Sequence, residues 1–296
     1  MVVVIAGPSP GSGEIAGSIA RGLGADLIIA DSKTFPDGES YVRVPQSLEG
    51  EEAVVVQTLS PPQDTSIIQA MLLADAVLGA GARKAVLVAP YLAYSRQDRR
   101  FLDGEPVSVA VVLRALHSAG YSALYTVEVH KEASLAHFPG QARSISPYEY
   151  MARKVKVEGD ILVLAPDLGA VRRAERLAQA LGASYDYLVK HRDRITGEIV
   201  IEPKTIPAEG KTVILVDDII STGGTLAKAT KLLYQQGARE VYALVAHALL
   251  AGNALERLEE AGLRRLYAGN TLPRREHPLV EYIDLGPLIA EVLGSG

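Results

Sequence analysis

The stretch VILVDDIISTGGT, residues Val213–Thr225, decides the fold of this 296-residue chain. Its four apolar residues Val213–Val216 predict a buried strand, and two aspartates follow at the carboxyl end. A small loop rich in glycine and hydroxyl residues comes next, and a helix begins at about Thr225. Because parallel sheets bind ligands beyond the carboxyl ends of their strands, we expect a binding site at this loop.

The loop after this strand has the residues of a phosphate site. Gly223 and Gly224 let the backbone approach an anion closely, and the amides of the following helix point at that anion. Hydroxyl donors are available from Ser221, Thr222 and Thr225. Asp217 and Asp218 would repel a phosphate, so they suit sugar hydroxyls or the coordination shell of magnesium. A plain turn with solvated aspartates, followed by a helix cap, is the alternative interpretation.

Short apolar runs rich in Val and Ile alternate along the chain with segments of helical period. This alternation predicts an α/β fold, in which mainly parallel sheets are covered by helices on both faces. The predicted strands are Val2–Ala6, Leu27–Ala30, Ala53–Gln57, Ala85–Ala89, Leu124–Val129, Ile161–Ala165, Tyr185–Lys190, Val213–Val216 and Val241–Ala246. The predicted helices are Glu14–Gly22, Thr65–Gly79, Val107–Ser118, Ala170–Ala180 and Thr225–Gln236.

The chain repeats itself at an offset of 156 to 160 residues. Leu23–Ala25 matches Leu181–Ala183, and Gly81–Arg83 matches Gly237–Arg239, in the same order in both halves. These matches predict two copies of one fold, with residues 1–146 forming the first domain and 147–296 the second. The first copy has VVVQTLSPPQDT at Val54–Thr65, where the second has its acidic and glycine-rich loop. We therefore expect the phosphate site in the second domain alone.

The composition disfavours several classes of function. The formal net charge of −5 disfavours binding to nucleic acid or to an anionic membrane, and the absence of cysteine excludes disulfides and thiolate metal sites. The N-terminal run MVVVIAG lacks the basic residues of a signal peptide, and no apolar stretch approaches the length of a transmembrane helix. We therefore expect a cytoplasmic protein with no nucleic-acid or membrane partner.

VILVDDIISTGGT resembles the phosphoribosyl-binding motif that phosphoribosyltransferases share with ribose-phosphate pyrophosphokinases. Five further segments resemble motifs of the second family. They are FPDGE at Phe35–Glu39, PYLAYSRQDRR at Pro90–Arg100, VEVHKE at Val127–Glu132, APDLGAVRRA at Ala165–Ala174 and KHRDR at Lys190–Arg194. On these motifs the chain is identified as a member of the ribose-phosphate pyrophosphokinase family, which implies two tandem phosphoribosyltransferase-like (type I) domains.

The resemblance also implies a role for particular residues. Ribose 5-phosphate would be bound by Asp217, Asp218 and Ser221–Thr225. ATP would be bound by Arg96, Gln97 and Asp98, together with Phe35, Asp37 and Glu39 of a neighbouring subunit. Mg²⁺ would be held by His130 and Asp167, and the transition state would be stabilised by Lys190 and Arg192. The sequence departs from the family pattern at Glu128 and Ser221, where aspartate is usual, and at Ala170, where a glycine is usual.

The implied reaction is the transfer of the pyrophosphoryl group of ATP to the C1 hydroxyl of ribose 5-phosphate, in a homodimer or larger homo-oligomer. A phosphoribosyltransferase, which would consume the product, and a non-catalytic regulatory relative are the alternatives. Each segment taken alone also has a simpler interpretation. RQDRR is typical of a solvated basic turn, PDG of any turn and KHRDR of a charged hairpin, while His130 could be structural and Asp167 a helix cap.

Overall fold

The computed structural model describes residues 1–188, 190–192, 199–201 and 205–295, with the backbone alone at 190–192 and 199–201. The chain forms two compact units. The first contains Met1–Ser146, Asn270–Arg274 and Asp284–Gly296, and the second contains Pro147–Gly269 and Arg275–Ile283. None of the helices described is long and apolar enough to cross a membrane.

The first unit is built around one parallel sheet. Its elements are β1 (Val2–Ala6), α1 (Ser12–Leu23), β2 (Asp26–Ile29), β3 (Asp31–Thr34), β4 (Ser40–Arg43), β5 (Glu52–Val56), α2 (Gln63–Gly79), β6 (Lys84–Ala89), α3 (Ser108–Ser118), β7 (Tyr121–Val127), a 3-10 helix (Glu132–His137) and β8 (Gln141–Ile145). Six strands form the sheet in the order β2-β1-β5-β6-β7-β8, and every neighbouring pair is parallel. β3 and β4 form an antiparallel hairpin outside it.

The second unit repeats this arrangement. Its elements are α4 (Tyr148–Ala152), β9 (Ile161–Ala165), a 3-10 helix (Leu168–Ala170), α5 (Val171–Leu181), β10 (Ser184–Tyr187), β11 (Lys190–Arg192), β12 (Ile199–Ile201), β13 (Thr212–Ile220), α6 (Gly224–Gln235), β14 (Glu240–Ala248), α7 (Ala254–Glu260), β15 (Arg265–Gly269) and β16 (Val280–Ile283). Its parallel sheet has the order β10-β9-β13-β14-β15-β16, and β11 and β12 form the matching antiparallel hairpin. The α/β class and the two-fold repeat are both confirmed.

The repeated Leu-Gly-Ala triplets end equivalent helices. Gly24 and Gly182 follow α1 and α5 with φ angles of 61° and 65°, a left-handed conformation that glycine adopts without a Cβ penalty. The next residues, Ala25 and Ala183, each donate an amide hydrogen bond to the carbonyl five residues earlier, at 3.0 and 2.9 Å. The same helix cap therefore leads into the second strand of each sheet.

The end of the chain joins the first unit. α8 (Gly286–Gly294) packs against α1, where Gly22 permits a close approach because a Cβ there would lie 2.6 Å from that of Ala290. The Ser18 hydroxyl also donates to Asp284 Oδ2 at 2.5 Å. This division differs from the predicted second domain of residues 147–296, because the final helix buries its apolar face on the first unit.

Two predicted strands end earlier than the apolar pattern indicates. The strand predicted at Leu124–Val129 ends at Val127, because Glu128 has a φ of 39° and turns the chain out of the sheet. The strand predicted at Tyr185–Lys190 ends at Tyr187. Glu128 and Val129 therefore lie beyond the first sheet, and Lys190 belongs to a separate strand, β11.

Candidate active site

The acid pair lies inside the central strand of the second unit. β13 pairs with β14 as far as Ile220 but with β9 only as far as Leu215. The strand therefore does not end at Val216, as its apolar run predicts, because hydrogen bonding to β14 continues. Asp217 and Asp218 lie beyond the last β9 pairing, so they are at the open carboxyl edge of the sheet on one side.

Asp218 forms a buried ion pair. It is 4% exposed, and its Oδ2 lies 3.5 Å from Nη2 of Arg173 on α5. Nη1 of the same guanidinium donates to the Gly169 carbonyl at 3.0 Å. Arg173 was missed in the sequence analysis, although it is part of the quoted segment Ala165–Ala174. It ties the acid pair to the loop that carries Asp167.

Asp217 lies in an acidic environment. Burial of its carboxyl raises its pKa well above the ordinary value, and the neighbouring Asp218 and the charge of Asp167 raise it further. Arg173 opposes this shift. The Tyr148 hydroxyl donates a hydrogen bond to the backbone carbonyl of Asp217 at 3.1 Å. Carboxyl groups at this edge are suited to accept hydrogen bonds from hydroxyl donors.

Asp167 caps the 3-10 helix that follows β9. Its Oδ1 accepts a hydrogen bond from the Gly169 amide at 2.9 Å, so the helix-cap interpretation is confirmed. The cap also fixes the orientation of the carboxyl group. Carboxylate oxygen is a ligand that Mg²⁺ accepts, and Mg²⁺ takes most of its remaining ligands from water and substrate phosphates. Over the described part of the chain no three acidic or histidine residues form a complete metal cage.

The predicted phosphate loop, Ser221–Thr225, is a sharp connection between β13 and α6. Gly223 has a φ of 74° and precedes the first turn of the helix. A Cβ on Gly223 would lie 3.2 Å from the Ala254 carbonyl oxygen, so glycine is required both by the backbone and by the packing of α7. The Ser221 carbonyl accepts a hydrogen bond from the Ala251 amide at 2.9 Å, which holds the start of the loop against the segment after β14.

The predicted ATP segment begins where β6 ends in the first unit. Arg96 is exposed, whereas Gln97 and Asp98 are half-buried. The Ser108 hydroxyl, at the start of α3, donates to Gln97 Oε1, and the Gln97 amide donates to the Tyr94 carbonyl at 3.3 Å. The turn is therefore folded back onto α3 rather than freely solvated, while the Arg96 side chain is exposed.

The segment with His130 leaves the neighbouring strand at the same sheet edge. The Val127 amide donates to the Pro90 carbonyl at 3.2 Å, which joins it to the start of the ATP segment. Ser144 Oγ accepts the Val129 amide at 3.0 Å. His130 is half-buried and lies in the first unit, whereas Asp167 lies in the second. Its role as a metal ligand stays a prediction.

FPDGE forms the exposed turn of the β3–β4 hairpin. The Phe35 amide donates to the Glu39 carbonyl at 2.8 Å, and the Glu39 amide donates to Asp37 Oδ1 at 3.2 Å. The Lys33 ammonium lies 4.8 Å from the centre of the Phe35 ring. The turn is confirmed, and all of Phe35–Glu39 is exposed. Contact with the nucleotide of a neighbouring subunit stays a prediction.

The predicted catalytic cations fall on the hairpin of the second unit. The backbone of Lys190 and Arg192 forms β11, in antiparallel register with Ile201 and Ile199 of β12. The hairpin interpretation is therefore confirmed for the backbone, and the two side chains lie outside the described part of the structure. The residues between the strands, 193–198, also lie outside it.

Comparison with known proteins identifies relatives along the whole chain. Residues 3–120 match the model of the N-terminal domain of ribose phosphate pyrophosphokinase, and residues 149–265 match that of the phosphoribosyl transferase domain. The ribose-phosphate pyrophosphokinase of Aeropyrum pernix is 46% identical over 97% of this chain and 94% of its own. That of Saccharolobus solfataricus is 44% identical over 97% and 99%.

A solved structure agrees with these sequence relatives. The crystal structure of phosphoribosylpyrophosphate synthetase from Mycobacterium smegmatis matches with a TM-score of 0.88 and 28% identity, over 100% of this chain and 99% of that one. Both domains are thus shared with enzymes of one kind. The chain belongs to the ribose-phosphate pyrophosphokinase family.

Proposed function

We propose that this protein transfers the β,γ-pyrophosphoryl group of ATP to the C1 hydroxyl of ribose 5-phosphate, giving 5-phosphoribosyl 1-pyrophosphate and AMP. The observation that carries the proposal is the β13–α6 connection, which presents an acid pair and a phosphate loop on one continuous segment. In a member of this family, that segment is suited to bind a phosphorylated sugar with free hydroxyl groups. The C1 oxygen bonds to the β-phosphorus, the bond from that phosphorus to the α-phosphate oxygen breaks, and the hydroxyl proton leaves to solvent.

The sugar phosphate is bound from both ends. The amides and hydroxyls of Ser221–Thr225 receive the 5-phosphate at the start of α6, where the helix dipole favours an anion. The carboxylates of Asp217 and Asp218 accept hydrogen bonds from ring hydroxyls. Arg173 holds Asp218 in place through the buried ion pair, so the hydroxyl acceptors are preorganised.

The nucleotide is bound by the first unit. Arg96 offers a planar donor fork to phosphate or a surface for stacking on adenine, and Gln97 and Asp98 contact the base or ribose. Phe35, Asp37 and Glu39 act on the ATP of a second copy, since their exposed hairpin turn is available to a neighbour. The functional enzyme is therefore a homodimer or larger homo-oligomer.

Asp167 and His130 would hold Mg²⁺, which neutralises the charge of the transferring phosphates when bound. Lys190 and Arg192 stabilise the transition state, because pyrophosphoryl transfer depends on positioning and on neutralisation of the equatorial oxygens. No general base is required, because a loose transition state asks little of the nucleophile. Both substrates are cytoplasmic metabolites, and we place the enzyme in that compartment.

The test is the release of AMP from ATP in the presence of ribose 5-phosphate and Mg²⁺, with no nucleobase added. We expect AMP and 5-phosphoribosyl 1-pyrophosphate in equal amounts, and no reaction with Asp217→Asn. A phosphoribosyltransferase would instead require a nucleobase and consume 5-phosphoribosyl 1-pyrophosphate. A regulatory relative would bind nucleotide without turnover. Either result would overturn the proposal.

A further inference from the structure

α7 packs behind the phosphate loop, and its Arg257 side chain forms hydrogen bonds there. Nη1 of Arg257 donates to the Thr222 carbonyl at 2.8 Å, and Nη2 donates to Asn253 Oδ1 at 2.9 Å. A planar guanidinium held at two nitrogens has a fixed orientation. The bonded carbonyl belongs to the loop itself, immediately before Gly223. Arg257 therefore holds one peptide group of the loop from outside.

The hydrogen bond from Arg257 to the Thr222 carbonyl also determines where the Gly223 N–H points. In the trans Thr222–Gly223 peptide, the carbonyl and the following N–H point in opposite directions. With the Thr222 carbonyl held toward α7, the Gly223 amide is directed away from α7, to the open side of the loop. Gly223 has a φ of 74°, so this peptide lies at the sharpest point of the connection, where rotation is easiest.

The amide that is directed outward in this way is available to a ligand. Gly223 is buried, yet among the described residues none accepts a hydrogen bond from its N–H. α6 has no side-chain cap on its first turn in the part of the chain described. An anion that fills this position would accept a hydrogen bond that the free loop does not make among the described residues.

We propose that Arg257 is a positioning residue for the 5-phosphate, acting through the Thr222–Gly223 peptide. This inference rests on the proposed function, because it takes ribose 5-phosphate as the ligand of the loop. The Arg257 guanidinium also lies 3.8 Å from the position that a Cβ on Gly224 would take. Its positive charge therefore adds to the attraction of the loop for the anion. Arg257 itself touches no reacting atom. Its effect is to keep the loop in the conformation that receives the phosphate, before the substrate arrives.

The experiment compares Arg257→Ala, Arg257→Lys and a matched control, Arg264→Ala. Arg264 is 64% exposed and pairs with Glu240 at the opposite end of the strands, so its loss removes one arginine without touching the loop. We expect Arg257→Ala to raise the KM for ribose 5-phosphate about tenfold, with kcat within about twofold and the KM for ATP unchanged. Arg257→Lys, which keeps one donor and the charge, recovers part of this loss. The control behaves as wild type.

Binding of ribose 5-phosphate by calorimetry, without ATP, separates this inference from the proposed function. Weaker binding in Arg257→Ala than in wild type supports the positioning role even if the wild type releases no AMP. Wild-type affinity in Arg257→Ala overturns it, as does an equal rise in KM for both substrates. Where Arg257→Ala melts below the assay temperature, Arg257→Lys decides: a KM for ribose 5-phosphate equal to that of wild type, with a lowered melting temperature, would show a structural role alone.

Discussion

Replacing Arg173 by methionine tests how the acid pair is held. Methionine has a similar volume but leaves the Asp218 carboxylate, 4% exposed, without its guanidinium and the Gly169 carbonyl without its donor. Removing one partner of a buried ion pair costs about 3–5 kcal/mol. The separation of 3.5 Å is longer than a charged hydrogen bond, so we expect the lower end, about 3 kcal/mol.

The double variant Arg173→Met/Asp218→Asn separates the pair from its parts. Because it removes both charges, the desolvation cost of the unpaired partner disappears, and we expect it to recover more than half of the stability lost in Arg173→Met. Asp218→Asn alone leaves the guanidinium bonded to the Gly169 carbonyl and should be destabilised less than Arg173→Met. Neither single variant nor the double variant should bind ribose 5-phosphate as wild type does.

The assay is urea unfolding at neutral pH without substrate or magnesium. Unfolding is monitored by far-ultraviolet circular dichroism, because the chain has no tryptophan for fluorescence. Wild type, both single variants and the double variant form a cycle whose coupling energy we expect at about 1–3 kcal/mol. If Arg173→Met unfolds within about 0.5 kcal/mol of wild type, or if the two changes add independently, the ion pair does not hold the site.

Three further predictions concern the loop and the charges around it. Asp217→Asn should abolish turnover yet raise the melting temperature of the ligand-free protein at neutral pH. Burial raises the pKa of Asp217 in the folded state above its unfolded value of about 3.8, so the folding stability of wild type falls as the pH rises between these two pKa values. Below pH 3.8 the carboxyl is protonated in both states, and the higher melting temperature of the variant should disappear. Lys190→Ala and Arg192→Ala should each lower kcat by about 10²–10⁴-fold in steady-state assays, with smaller changes in KM; a raised KM with unchanged kcat would make that residue a binding group. Gly223→Ala should weaken ribose 5-phosphate binding at least about tenfold in a calorimetric titration, whereas Gly182→Ala, equally left-handed but with open space around it, should lose stability alone.

The sequence predicts the buried strands well because their apolar runs are continuous. β1 and β9 match their predicted bounds, since both are covered on both faces and read as unbroken Val, Ile and Leu segments. The hairpin strand β3, with the sequence DSKT and every residue exposed, carries no such signal. Its position is set by the turn at Phe35–Glu39 and by pairing with β4, which the apolar pattern does not contain.

Some residues of the candidate site are also predictable from the sequence, and others are not. Asp217 and the phosphate loop are readable because they are adjacent in sequence, in a segment whose order is itself diagnostic. The contacts of Arg173 and Arg257 with the site are not readable in this way, since each reaches the site from a helix outside Val213–Thr225. The signal for Arg173 was present in the segment Ala165–Ala174, where the arginine one turn into the helix faces β13. α7 is short, and its role depends on packing that no local pattern encodes.

The two copies of the fold differ at the edge of the sheet where the site is predicted. Gln57 and Thr58 follow β5 at the positions where Asp217 and Asp218 stand in β13, since Glu52 and Thr212 begin the two strands. Both are fully buried, and their side chains are satisfied within the first unit: Gln57 Oε1 accepts the Ser9 amide at 3.2 Å, and the Thr58 hydroxyl donates to the Thr271 carbonyl at 2.6 Å. That edge is closed by its own hydrogen bonds. In the second copy, burial, Asp218 and Asp167 raise the pKa of Asp217, and no described residue accepts a hydrogen bond from the Gly223 amide, so this edge offers acidic groups and a donor that a hydroxylated, anionic ligand would match.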